Sequence, residues 1–233
     1  MCELNTAPKR HQRPSNGFTL VEMAITLFVI TIISALLLIP LAGREDIRAR
    51  HEAKATLAEI REALIGFAII HRRLPCPTLQ NDPSAADYGL EDASCNQSIE
   101  GRLPWRTLGL PPTDPWGTPR ISATDPWDGH WRYRVDLAFA HTANPPIAID
   151  TVPGQDIGVR DAVSGIEMVA NKMLVAVVYS TGPNRDADGD NASFEVGDAT
   201  YGVGGPTTTF DDLLEWVSRP LLLARMGAAG ALP

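Results

Sequence analysis

From Phe18 to Leu41 the chain runs FTLVEMAITLFVITIISALLLIPL, 24 residues with one ionisable side chain, Glu22. A helix of that length rises about 36 Å, enough to cross a bilayer core of about 30 Å. A helix in a soluble core is rarely apolar on every side for so long. The segment therefore predicts a membrane span, and the flanking charge predicts its direction. Residues 1–17 carry Lys9, Arg10 and Arg13 against Glu3, a net of +2; the overall charge is −8, so the remainder carries −10. Basic flanks stay in the cytoplasm, which predicts an exported C-terminal part. The acidic body has no basic stripe and excludes nucleic acid as a partner. A removable secretory signal is the competing reading. Its apolar region is normally 7–15 residues, and Pro40-Leu41-Ala42-Gly43 matches its cleavage pattern poorly.

The start of the apolar run reads Ser15-Asn16-Gly17-Phe18-Thr19-Leu20-Val21-Glu22. This resembles the processing site of type IV prepilins and type II secretion pseudopilins. The resemblance implies cleavage after Gly17 by a prepilin peptidase, N-methylation of Phe18, and use of Glu22, the fifth mature residue, in assembly. It also implies other pilins or pseudopilins and an inner-membrane assembly platform as partners, with an assembly ATPase acting indirectly from the cytoplasm. The physics agrees. Glycine lets a peptidase approach the backbone, and a carboxylate in an apolar segment is costly unless paired. Cleavage would free an amine on Phe18, and Glu22 of a neighbouring copy could meet it where the dielectric is low. A glutamate snorkelling to the interface is the plainer alternative.

The following stretch, Arg44–Arg73, is amphipathic. Leu57, Ile60, Leu64, Phe67 and Ala68 fall at helical spacing among charged residues. One long helix is expected from about Phe18 to about Arg72, with a candidate kink at Pro40–Gly43. It should stop at Leu74-Pro75-Cys76-Pro77. The expected organisation is a leader (1–17), a transmembrane and assembly helix (18–43), an amphipathic stalk (44–73) and a loop-rich periplasmic head (74–233). The fold class is α+β, with the long helix packed on a small antiparallel sheet of about four strands.

In the head, Cys76 and Cys95 form an even pair once Cys2 leaves with the leader. In an exported domain that suggests a disulfide, with two buried thiols as the alternative. Asp114-Pro115-Trp116-Gly117 and Asp125-Pro126-Trp127-Asp128-Gly129 read as turns. The second leads to an alternating strand over 131–139. Ile147–Val152 and Met173–Ser180 are further strand candidates, the latter central because it is nearly all apolar. Trp105, Trp116, Trp127 and Trp131 are either packing anchors or a ligand-binding surface. After Pro220 a short amphipathic piece and a frayed Gly/Ala tail are expected.

From Asn184 the chain reads N-x-D-x-D-G-x5-E, through Asp186, Asp188, Gly189, Asp190 and Glu195. It resembles a calcium loop with Asn in first place, and Asn184, Asp186, Asp188, Asp190 and Glu195 are the candidate ligands. Major pseudopilins bind calcium near their C-terminus, and Thr209–Trp216 resembles their terminal D-D-[IL]-x-x-W segment. Asp198 or Asp211 would complete the shell. A solvated acidic turn is the alternative. No nucleophile–base motif is present, so an enzyme is not expected. A structural assembly subunit leads, anchored in the bacterial inner membrane with its head in the periplasm. A membrane-tethered periplasmic binding module using the Trp-rich loops is second.

Overall fold

The computed structural model describes residues 19–93, 95, 100–117, 129–140, 145–154, 156–170, 172–192 and 199–233, with side chains 35–44 left aside. The chain divides into two units, residues 1–45 and 46–233. Helix α1 spans Leu20–His71 without interruption at Pro40 or Gly43. Arg72 then turns into the left-handed region at φ 57°. Its N–H still reaches the Ala68 carbonyl, while Leu74 N–H crosses to Phe139 O. The helix thus ends one residue before Arg72, its expected last residue, and the prolines that follow cannot resume it. In the first unit the side chains from Thr19 to Ser34 are all exposed. Among the described residues no helix is long and apolar enough to cross a membrane.

The second unit is a three-layer head. Its middle layer is a four-stranded antiparallel sheet made of β1 (Gly101–Arg102), β2 (Arg132–Val135), β5 (Leu174–Ser180) and β7 (Leu213–Ser218), in the order β1-β2-β5-β7. One face packs on α1. Ala53, Leu57, Ile60, Leu64, Ile65 and Ala68 share a core with Tyr133, Val135, Val175, Val178 and Val217. The other face carries Leu174, Val177 and Tyr179, which join Ile157, Val159 and Tyr201 in a second core. That core is closed by a smaller sheet of β3 (Gly158–Asp161), β4 (Glu167–Val169) and β6 (Thr200–Val203), ordered β4-β3-β6. β5 is buried at every residue because both its faces are covered, which accounts for its unbroken apolar sequence.

The second sheet departs from the expected single sheet, and its β3–β6 pair is parallel. Three other expectations are corrected. Ile147–Val152 is a turn and not a strand: Ile147 alone is buried, its N–H bonded to Arg72 O, and Ile149 and Val152 face solvent. The strand predicted over 131–139 ends at Val135, because the Asp136 carboxylate accepts the Ala138 N–H and starts helix α3, Leu137–Ala140. The tail is folded: after helix α4 (Arg219–Ala228), Gly230 takes φ 67°, Ala231 N–H returns to Met226 O, and Ala231 is buried. The remaining helix, α2 (Trp105–Leu108), lies in the loop region after β1. Cys76 and Cys95 are joined by a disulfide, with Cα atoms 5.6 Å apart. Glu91 grips the same loop, bonded to both terminal nitrogens of Arg73 and to Cys76 N–H.

Candidate functional site

Gly17 and Phe18 lie outside the described residues. Glu22 begins α1 in a reciprocal arrangement. The Thr19 hydroxyl accepts the Glu22 N–H at 3.2 Å, and the Glu22 carboxylate accepts the Thr19 N–H at 3.4 Å. That is a capping box, S/T-x-x-E, and it satisfies two donors that the first turn would otherwise leave open. The sequence T-L-V-E carries this signal as plainly as the apolar run does, yet attention to the acid's role in assembly passes over it. Glu22 is exposed among apolar neighbours that are themselves exposed.

The second candidate lies in the head. Of the described loop residues expected to converge, Asp188 alone joins a cluster of acids, and its partners are Asp211 and Asp212; one carboxylate oxygen from each lies within 4.8 Å of the others. Asn184 is exposed and donates to Asp188. Asp186 is exposed, and Asp190 is drawn to Arg160 by a two-pronged ion pair. Glu195 and Asp198 lie outside the described residues. Sequence reasoning named Asp211 and missed Asp212, the most buried of the three.

Two loops build the cluster. After β5, Gly182 sits at φ 65°, where a Cβ would collide with the Asp211 carboxylate; only glycine lets the strands of chain pass so closely. Asp188 N–H donates to Asp212 (3.0 Å), and Asp211 N–H donates back to Asp188 (2.8 Å). Asn191, buried in a 3-10 turn (Gly189–Ala192), donates to the same Asp212 oxygen at 2.8 Å. Asn191 therefore replaces the apolar residue usual at that place with a structural hydrogen-bonding one. The other oxygen of Asp212, and Oδ1 of Asp211, are buried with no hydrogen-bond partner. An ionised carboxylate oxygen buried without a donor is costly. Burial accordingly pushes the Asp212 carboxyl up to about 7, with Asp188 and Asp211 adding repulsion. Asp211 is raised too, by burial and then by Asp188. Three carboxylates with oxygens within 4.8 Å of one another are hard donors of the kind a divalent cation such as calcium takes.

Two features are structural. Asp114 opens the first turn by accepting N–H groups of Trp116 (3.1 Å) and Gly117 (2.7 Å), with Ser180 donating to its other oxygen. Trp105 and Trp131 are buried, so neither contributes to a Trp-rich surface; Trp116 is half-buried, and Trp127 lies outside the described residues.

No curated protein and no solved structure matches the chain. One family model does, described as the prokaryotic N-terminal methylation motif. Residues 12–38 match that motif, the prepilin-type cleavage and methylation signal of type IV pilins and pseudopilins.

Proposed function

We propose that the chain is a subunit of a type IV pilus or, in the narrower reading, of a type II secretion pseudopilus. It is made as a precursor, cut after Gly17 by a prepilin peptidase, and methylated on Phe18. Residues 18–43 anchor it in the bacterial inner membrane, and its head lies in the periplasm. Assembly proceeds through α1 on an inner-membrane platform, with Glu22 meeting the Phe18 amine of a neighbouring copy. The observation that carries this reading is the motif at residues 12–38 placed at the start of a helix whose first part exposes apolar side chains. The capping box gives Glu22 a place in the single chain; the free amine of a processed neighbour is a stronger partner than a backbone N–H.

The pseudopilin reading is favoured by the acidic cluster and by the D-D-L-L-E-W segment. In this reading Asp188, Asp211 and Asp212 hold calcium, which supplies positive charge between the loop after β5 and the segment entering β7. Glu22→Ala tests the main proposal: cleavage and membrane insertion proceed, and filament yield measured by shearing and immunoblot falls at least tenfold. Wild-type yield from that variant would contradict it.

A further inference from the structure

The acidic cluster has a basic neighbour on α1. Arg50 is well covered, its side chain 18 % exposed. Its Nε donates to Asp46 at 3.1 Å, and a terminal nitrogen donates to the main-chain oxygen of Asp211 at 3.3 Å. The guanidinium carbon lies 5.9 Å from the ring centre of Trp116, a cation–π distance. Arg185, the cation of the loop itself, is turned to the Trp116 carbonyl at 2.7 Å. Asp46 adds a fourth carboxylate, one of its oxygens buried without a hydrogen-bond partner. The Arg50 guanidinium meets this group of acids from a different element, tying the start of the head helix to the segment that enters β7.

We propose that Arg50 is the resident counter-ion of the cation site: it steadies the acidic cluster when no divalent cation is bound and opposes electrostatically a cation that enters. The inference rests on the reading that Asp188, Asp211 and Asp212 hold a cation. It has a consequence that a purely structural arginine lacks. Removing the charge destabilises the cation-free head and tightens the hold on the cation, so the two effects have opposite signs. A residue that only positioned Asp211 would lose both together.

The test uses the full-length chain in detergent, with calcium affinity from titration calorimetry and Tm in chelator. Arg50→Gln, which keeps most of the stem over Trp116, is expected to lower the calcium Kd about fivefold, as removal of a unit charge near a dication implies. Its Tm in chelator falls by about 3 °C. Arg50→Lys keeps the charge without the two-pronged head. Its Kd stays within twofold of wild type while its Tm falls, and this arm serves if Arg50→Gln does not fold. A weakened or unchanged Kd in Arg50→Gln, or a tightened one in Arg50→Lys, overturns the proposal. Wild-type protein that takes up no calcium overturns the cation reading itself, and this inference with it.

Discussion

The two ends of α1 differ in composition, with 11 apolar residues among the 14 from Leu20 to Ile33 and 10 among the 16 from Ala53 to Ala68, and they present opposite surfaces. Between Ala53 and Ala68 the apolar side chains at Ala53, Leu57, Ile60, Leu64 and Ala68 are buried, and Glu52, Lys54 and Glu59 face solvent. Between Leu20 and Ile33 the apolar side chains are exposed on all sides, with Leu20, Leu27 and Phe28 among the most open. The local propensities differ as well. The buried stretch, A-K-A-T-L-A-E-I-R-E-A-L, is rich in strong helix formers. The exposed stretch holds Val21, Ile25, Val29, Ile30, Ile32 and Ile33, β-branched residues that lose rotamer freedom in a helix. Surrounding lipid or neighbouring helices would favour helix there, since backbone groups in an apolar medium must be satisfied within the segment. The far half of α1 is complete within one chain, and the near half is not.

The comparison breaks most visibly at the core. Leu64→Ala, at a fully buried position facing the four-stranded sheet, is expected to cost about 3 kcal/mol in thermal or denaturant unfolding. Ile32→Ala, on the exposed half, should leave head unfolding within about 0.5 kcal/mol of wild type. Equal losses from the two would mean that the near half is packed like the far half, and the contrast would fail. Next in size is the loop that follows α1. Cys76→Ser with Cys95→Ser should lower head stability by roughly 2–3 kcal/mol, since the bond closes a loop of about 20 residues. Filament assembly at permissive temperature should persist, because Arg73 and Glu91 still pin the loop.

A third effect, confined to one range of pH, lies at the acidic cluster and sharpens the picture of a head that is nearly, but not wholly, self-sufficient. Asp212 is protonated more readily in the folded chain, up to about 7, than at its ordinary 3.8. The folded state then binds a proton that the unfolded state has released, so stability contributed by this group falls as pH rises from about 4 to about 7 and is flat above. In chelator the wild-type pH profile should show this fall, and the profile of Asp212→Asn should lack it. Saturating calcium should remove the drop by favouring the ionised form and should raise the Tm at pH 7.5. Matching profiles for the two proteins, or a Tm unmoved by calcium, would remove the charge burden assigned to Asp212.

What the sequence makes legible follows from how each element is stabilised. Leu57, Ile60, Leu64, Phe67 and Ala68 announce the stalk because a helix face repeats within a few residues. Leu174–Ser180 announces the central strand because burial on both faces leaves it apolar from Leu174 to Val178, with hydroxyls only at Tyr179 and Ser180. The second sheet is hidden by comparison. Its apolar contributions, Val159, Val169 and Tyr201, come singly, between Gly158, Arg160, Glu167 and Gly202. Its parallel pairing joins segments about forty residues apart, which no local period records. Ile147 misleads in the opposite sense: one buried isoleucine within a turn imitates the start of a strand. At the acidic site the loop spacing identifies Asp188, while Asp212 owes its place to hydrogen bonds from Asp188 and Asn191, formed only after the chain has passed through β6. That closeness is a product of the tertiary fold.

The central claim is that the exposed half of α1 is completed by processing and assembly, and the mass of the mature protein tests it most directly. Intact-mass and N-terminal peptide measurement on protein from cells that contain the peptidase should find a chain beginning at Phe18 and carrying one added methyl group. A chain that still begins at Met1 in such cells, with no methyl group, would contradict the account.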